Sequence, residues 1–473
     1  MVEWARAYED FAGELIGRSQ IPAAAVALAR DGEVVYERGF GHRDAAGSLP
    51  VTPDTRFGLG SVTKSFPALA IAQLDEAGKL STSDPVARWL PELTFPRDPG
   101  RAREVAIHHF LTHTSGIPPE PALLHARAAS ICADPDFPRL HPPPLGVPAD
   151  VYDLERIATY EELMALMARQ GWAALGPPGR VLSYSNEGYV LLAAIVERAS
   201  DRPFPEYLQA HVLDPLGMTR TGLYTSETAP LEPEVVPFAL DSRDGKQEVF
   251  ASPAWWDQGK MFGNGGLKST TRDLLRYLEI YRTGGVSHSR RVLSAAGVAR
   301  MTAPHAPIAT GGHYGYGLQV GEAPGGLRTV GHGGGNKGVA TQVVVVPERG
   351  LTAVALTNLA NAPAAKLAQG LVNACLGLDP ATPWATFPQH ALEPGQLARF
   401  AGTYKSRPGV LVRVSARDGG LEIDLEGQSH RARPYADDAF LIEALEQPLC
   451  FLADHDGQVW GFAMGLRAHR KMG

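Results

Sequence analysis

The 473-residue chain has only three cysteines, Cys132, Cys375 and Cys450. An odd, scattered set this small excludes a disulfide framework and a cysteine-built metal cage. No stretch of about 18 apolar residues occurs, so no membrane-spanning helix is expected. No run of like charges occurs either, and the net charge is -7. Mild acidity without basic patches argues against nucleic acid or an anionic membrane as the main partner. The opening residues carry Glu3, Glu9, Asp10 and Glu14 rather than a basic start and an apolar run. No secretory signal is therefore expected, and the cytoplasm is the expected compartment. A G-x-S-x-G elbow and a phosphate-binding P-loop are also missing, which disfavours an α/β-hydrolase and a nucleotide enzyme.

The hydrophobic fraction is 44% and the charged fraction 20%, ordinary values for a globular chain. Trp4, Tyr8, Phe11 and Leu15 recur at spacings of three and four, the period of an amphipathic helix. Two apolar runs, Ala23 to Ala29 and Val34 to Phe40, flank Arg30-Asp31-Gly32-Glu33 and read as a hairpin. Helical patterns then dominate from about 61 to 300. Strand signals return at Leu327 to Val330, Val339 to Val346 and Thr352 to Thr357. Strands at both ends with helices between them predict an α+β unit: one antiparallel sheet flanked by helices, plus a helical lobe. Its predicted extent is 1–377. Residues 118–148 are proline-rich and read as an irregular insertion, a candidate lid. Prolines at 380, 383 and 388 mark a linker over 378–394. Short β-runs beyond it predict a small all-β domain over 395–473.

Three stretches carry residues fit for chemistry. In Gly60-Ser61-Val62-Thr63-Lys64 a helical pattern follows the serine, so Ser61 and Lys64 share the face of a first turn. A partly desolvated lysine can lose its proton near neutral pH and accept one from a serine hydroxyl. Alone, the pattern is more often a capping serine with a surface lysine. Pro67 adds the expectation of a kink, because it frees the carbonyl of Thr63. In Tyr184-Ser185-Asn186 the phenol can relay a proton, and the amide can both accept from a lysine and donate to a substrate. In Gly331-His332-Gly333-Gly334-Gly335, just after a strand, glycines allow close approach and the histidine offers a hydrogen bond. His108, His109 and His113 cluster without the carboxylate spacing of a metal site. No metal or cofactor is expected.

The order S-x-x-K, Y-x-N, H-G-G resembles the three boxes of the serine β-lactamase and penicillin-binding-protein superfamily. Phe110 to Ile117, Pro178-Gly179 with Tyr184 to Tyr189, Pro215 to Met218, Gly265 to Thr270 and Lys79 to Val86 are also similar to its segments. The resemblance spans roughly residues 15 to 370. It implies Ser61 as nucleophile, Lys64 as its base or base partner, and Tyr184 as proton relay. Asn186, His332, Gly334 and Gly335 become substrate-binding, with the amides of Ser61 and Gly335 as the oxyanion hole. Phe400 to Tyr404 resembles the entry to the lipocalin-like β-domain of some family peptidases.

The implied function is a serine hydrolase that cleaves small amide, peptide or ester substrates through an acyl-enzyme. The alternatives are a β-lactamase or penicillin-binding protein with slow turnover, and a non-catalytic binding scaffold. Histidine replaces the lysine of the usual K-T-G box. A neutral imidazole gives a substrate carboxylate little, so neutral or N-terminally charged substrates are the expectation.

Overall fold

The computed structural model describes residues 3–472 apart from 96, 99, 119–121, 141–150, 172–173, 224–231, 243–246, 407–410 and 426. Helix α1 (Glu3–Arg18) buries Ala5, Tyr8, Ala12 and Leu15. Strands β1 (Ala23–Arg30) and β2 (Glu33–Gly41) form the expected hairpin. The sheet is completed by β3 (Ala306–Pro307), β4 (His313–Tyr314), β5 (Gln319–Ala323), β6 (Leu327–Asn336), β7 (Val339–Val346) and β8 (Leu351–Thr357). Its order is β3-β4-β5-β6-β7-β8-β1-β2, antiparallel throughout.

All of β1 except Arg30 is buried, because both faces of the sheet are covered. Ala23, Ala25, Ala27 and Ala29 face the larger core; Ala24, Val26 and Leu28 face the smaller one. The larger core holds the helical lobe, including α2 (Ser65–Glu76), α4 (Asn186–Ser200) and α5 (Thr271–Thr283). The smaller core lies between the sheet, α1 and α6 (Ala364–Cys375). Among the described residues no helix is long and apolar enough to cross a membrane.

The stretch read as an irregular insertion contains helix α3 (Ala122–Cys132) and a short 3₁₀ turn, Phe137–Arg139. Leu124, Ile131, Phe137 and Leu140 pack with Val151, Phe250 and Trp256 in a core of their own. Asp134 accepts from Trp256 Nε1 (2.9 Å) and ion-pairs with Lys337 (2.5 Å), both partners deeply buried. The expectation of irregular chain fails because the prolines fall on either side of Ala122–Cys132 and leave that run free to form a helix. Its described part is fastened to the turn between β6 and β7 and is no free lid; residues 119–121 and 141–148 lie outside the described residues.

Beyond residue 394 a closed, eight-stranded antiparallel barrel follows. Its strands are β9 (Gly402–Lys405), β10 (Leu411–Arg417), β11 (Gly420–Leu425), β12 (Gln428–Pro434), β13 (Ala439–Ile442), β14 (Gln447–Ala453), β15 (Val459–Met464) and β16 (Arg467–Lys471). Inward side chains fill the interior, with Phe400, Tyr404, Phe440, Phe451 and Phe462 in mutual ring contact.

Candidate active site

Ser61 sits in a 3₁₀ turn, Gly60–Lys64, which runs directly into α2. The change of helix type between Lys64 and Ser65 places Pro67 in the first turn of α2, where a proline is tolerated. The turn lies against β6. Thr341 Oγ1 donates to Leu59 O at 2.8 Å. A Cβ at residue 334 would stand 2.0 Å from that same carbonyl, so only glycine fits there. Gly60, at φ +51°, has its missing Cβ position 2.6 Å from the amide nitrogen of Gly335. The glycine box lies inside β6, although the sequence reading ended that strand at Val330. Glycines carry no strand signal of their own; at Gly334 the contact with the Leu59 carbonyl requires one.

Lys64 is fully buried and touches all that the first two boxes supply. Its Nζ is 3.1 Å from Ser61 Oγ, 2.8 Å from Asn186 Oδ1 and 2.7 Å from the carbonyl oxygen of Asn264. It also lies over the Tyr184 ring, 4.6 Å from its centroid. Burial pushes the ammonium well below the ordinary lysine range; Arg467 and Arg127 lower it further, and Glu187 opposes them. A neutral amine has two N–H bonds and one lone pair. The two carbonyl-type oxygens take the hydrogens, which leaves the lone pair for the Ser61 hydroxyl.

The hydroxyl of Tyr184 is buried beside Ser61 without a hydrogen bond of full geometry. Burial raises its pKa above the ordinary phenol range, and the Ser61 contact only partly offsets this. Lysine is thus pushed toward its neutral form and tyrosine kept in its neutral form. Opposed shifts of this kind separate a base from a proton donor. His113 packs on Tyr184 with ring centroids 4.2 Å apart, and its Nδ1 accepts from the Ser185 amide at 3.1 Å.

His332 lines the cleft from β6 but is 2% exposed. Its Nδ1 lies against the carbonyl of Gly333, which can only accept, so Nδ1 carries the proton. Its Nε2 then accepts from Tyr314 at 2.9 Å. Burial lowers its pKa to about 3, so the ring is neutral. Both nitrogens are engaged within the protein. The hydrogen bond to substrate expected from His332 has no free donor behind it.

The cleft above Ser61 has a volume of about 470 Å³ and is lined by Ser61, Tyr184, His332 and the glycines 333–335. Met464, Leu466 and Arg467 of the barrel line it too. Three participants were not found from sequence. Asn264 acts through its backbone, directly before the stretch from Gly265 to Thr270 that was noted only for its likeness to the family. Glu187 follows Asn186 directly and is buried, with one carboxylate oxygen unpartnered and its pKa raised by burial. Arg467 lies in a different domain, and no local pattern announces it. Among the described residues no cluster of histidine, cysteine and carboxylates could hold a metal ion.

Fold and site together define a serine β-lactamase-like protein whose Ser61 lies beside a buried lysine. A family model, Beta-lactamase, matches residues 7–375, and the chain belongs to that family. It is 24% identical to Penicillin-binding protein 4* of Bacillus subtilis (strain 168) over 458 residues, 94% of this chain and 93% of that one. Esterase EstB of Burkholderia gladioli is 35% identical over 229 residues, 48% of this chain and 52% of the esterase. The octameric penicillin-binding protein homologue from Pyrococcus abyssi superposes with a TM-score of 0.68 at 26% identity, covering 98% of this chain and 99% of that one.

Proposed function

We propose that the protein is a serine hydrolase that cleaves amide, peptide or ester bonds of small substrates through an acyl-enzyme on Ser61. The observation that carries this is the buried Lys64 Nζ, 3.1 Å from Ser61 Oγ and held by two carbonyl oxygens that can only accept. In this reading Lys64 takes the Ser61 proton as the oxygen attacks the carbonyl carbon. The amides of Ser61 and Gly335 hold the developing oxyanion, a reading supported by the close approach of Gly60 to the Gly335 amide. Tyr184 gives a proton to the leaving group as its bond to the carbonyl carbon breaks and regains one from Lys64, which leaves the amine neutral again, and Asn186 holds Lys64 and the substrate. Water then enters, gives its proton to the same base, and releases the acid. Relatives named as penicillin-binding proteins and an esterase support acyl transfer without choosing between amide and ester.

The test is covalent labelling. A fluorophosphonate should add its mass to Ser61 alone, and Ser61→Ala should abolish both labelling and turnover of p-nitrophenyl esters while leaving the melting temperature nearly unchanged. Labelling at another residue, or full activity in the alanine variant, excludes the proposal. A burst of nitrophenol without a steady state marks the slow-turnover alternative instead.

A further inference from the structure

The cleft is not complete within the family domain. Its open side is closed by the β15–β16 hairpin, whose turn is Gly465-Leu466. That hairpin is fastened to the Tyr184 box on both sides of one residue. Leu466 O accepts from the amide of Tyr184 at 2.8 Å, and the amide of Ala468 donates to Ser183 Oγ at 3.3 Å. The residue between these anchors is Arg467, and it lines the cleft together with Ser61, Tyr184 and His332.

Most arginines near the domain's surface are committed. Arg198 pairs with Glu92 and Glu161, and Arg272 with Glu37 and Asp54. The Arg467 side chain, by contrast, has no hydrogen bond and no ion pair among the described residues. The titratable groups it faces are Lys64, Tyr184, Glu187, His113 and His469, with His332 on the same cleft wall. Lys64 and the three histidines are held toward neutrality by burial, and the Glu187 carboxyl accepts from Ser185 Oγ. A permanent cation with unspent donors therefore borders the reacting serine. The cation absent from the third box is supplied by another domain.

Resting on the acyl-enzyme reading above, we propose that Arg467 is the anion receptor of this site. Its preferred substrates carry a carboxylate within a side chain's reach of the scissile amide or ester bond. A guanidinium offers a planar fork that matches a carboxylate with two parallel hydrogen bonds. Its charge persists at every working pH, unlike that of an imidazole. The preference inferred from His332 alone, for neutral substrates, is thereby reversed.

The test uses the full-length protein and two p-nitrophenyl esters that differ only in a terminal carboxylate or carboxamide on the acyl chain. Wild type should favour the carboxylate ester by tenfold or more in kcat/KM, mainly through KM. Arg467→Gln should collapse that ratio toward one, and Arg467→Glu should invert it, while Arg467→Lys keeps part of it. Arg413→Gln, an exposed change on the barrel, should leave the ratio alone. An unchanged ratio in the glutamine and glutamate variants overturns the proposal. So does an equal fall for both esters with a displaced pH limb, which would mean that Arg467 acts only by tuning Lys64. If wild type turns over neither ester and Ser61 stays unlabelled, the acyl-enzyme reading is what fails. Binding of N-acetylglycine against N-acetylglycinamide to Ser61→Ala then decides the anion site independently: equal affinity overturns it, and a carboxylate preference lost in the Arg467→Gln double variant supports it.

Discussion

Tyr184→Phe separates chemistry from architecture, because the structure assigns opposite signs to the two. The tyrosine hydroxyl is buried and makes no hydrogen bond of full geometry. A buried polar group left unpaired costs about 1–3 kcal/mol. Removing the oxygen while keeping the ring on His113 should therefore leave stability unchanged or raise it by about 1 kcal/mol. If the same oxygen hands a proton to the leaving group, the rate should fall by about 10²–10⁴, equivalent to roughly 3–5 kcal/mol of barrier. Burial keeps the phenol protonated over the accessible pH range, so the loss should be a constant factor and the pH limb should not move. The assay pairs thermal melts with kcat for an aminoacyl p-nitroanilide, whose leaving amine cannot depart without a proton, between pH 5 and 9. A phenylalanine variant that melts earlier and retains its rate would refute the argument and leave Tyr184 as a structural side chain.

Lys64→Met should abolish acylation and also alter how stability depends on pH. The folded-state pKa of this lysine is depressed, so between that value and about 10.4 the unfolded chain binds the extra proton and stability rises with pH. Melts from pH 6 to 10 should show that rise in wild type and a shallower one in the methionine variant; parallel curves would mean that Lys64 stays charged. Asp134→Ala strands the Lys337 ammonium in a buried site and removes the acceptor of Trp256. The expected loss is about 3–5 kcal/mol, and Asp134→Ala with Lys337→Met should recover much of it. A single variant as stable as wild type by denaturant titration contradicts the brace.

The sheet and the three boxes were legible in the chain because each rests on a local pattern. Alternating or continuous apolar runs marked β1, β2, β7 and β8, and the first two boxes converge on one amine: Lys64 Nζ lies within 3.1 Å of Ser61 Oγ and Asn186 Oδ1 and over the Tyr184 ring at 4.6 Å. What the chain hid was whatever depends on a distant partner. The extension of β6 through its glycines follows from the carbonyl of Leu59 lying against Gly334, which no single segment records. The binding role expected of His332 lapsed because Tyr314 and its own backbone absorb the ring. Helix α3 was masked by the prolines around it. Arg467 comes to the serine only through the closure of a separate barrel.

One pairing of the main sheet joins β1 to β8, with Ala24 opposite Thr357. During synthesis the first strand must therefore wait for nearly the whole catalytic unit before its inner neighbour exists. Until then it has only the β2 hairpin, and an open, apolar edge faces the surroundings. Pairings this remote in sequence form slowly and leave partly folded chains prone to associate. The yield of active protein should thus be governed by the late arrival of β8 rather than by the helical lobe. A circular permutant that placed β8 directly before β1 would turn the slowest closure into a local one.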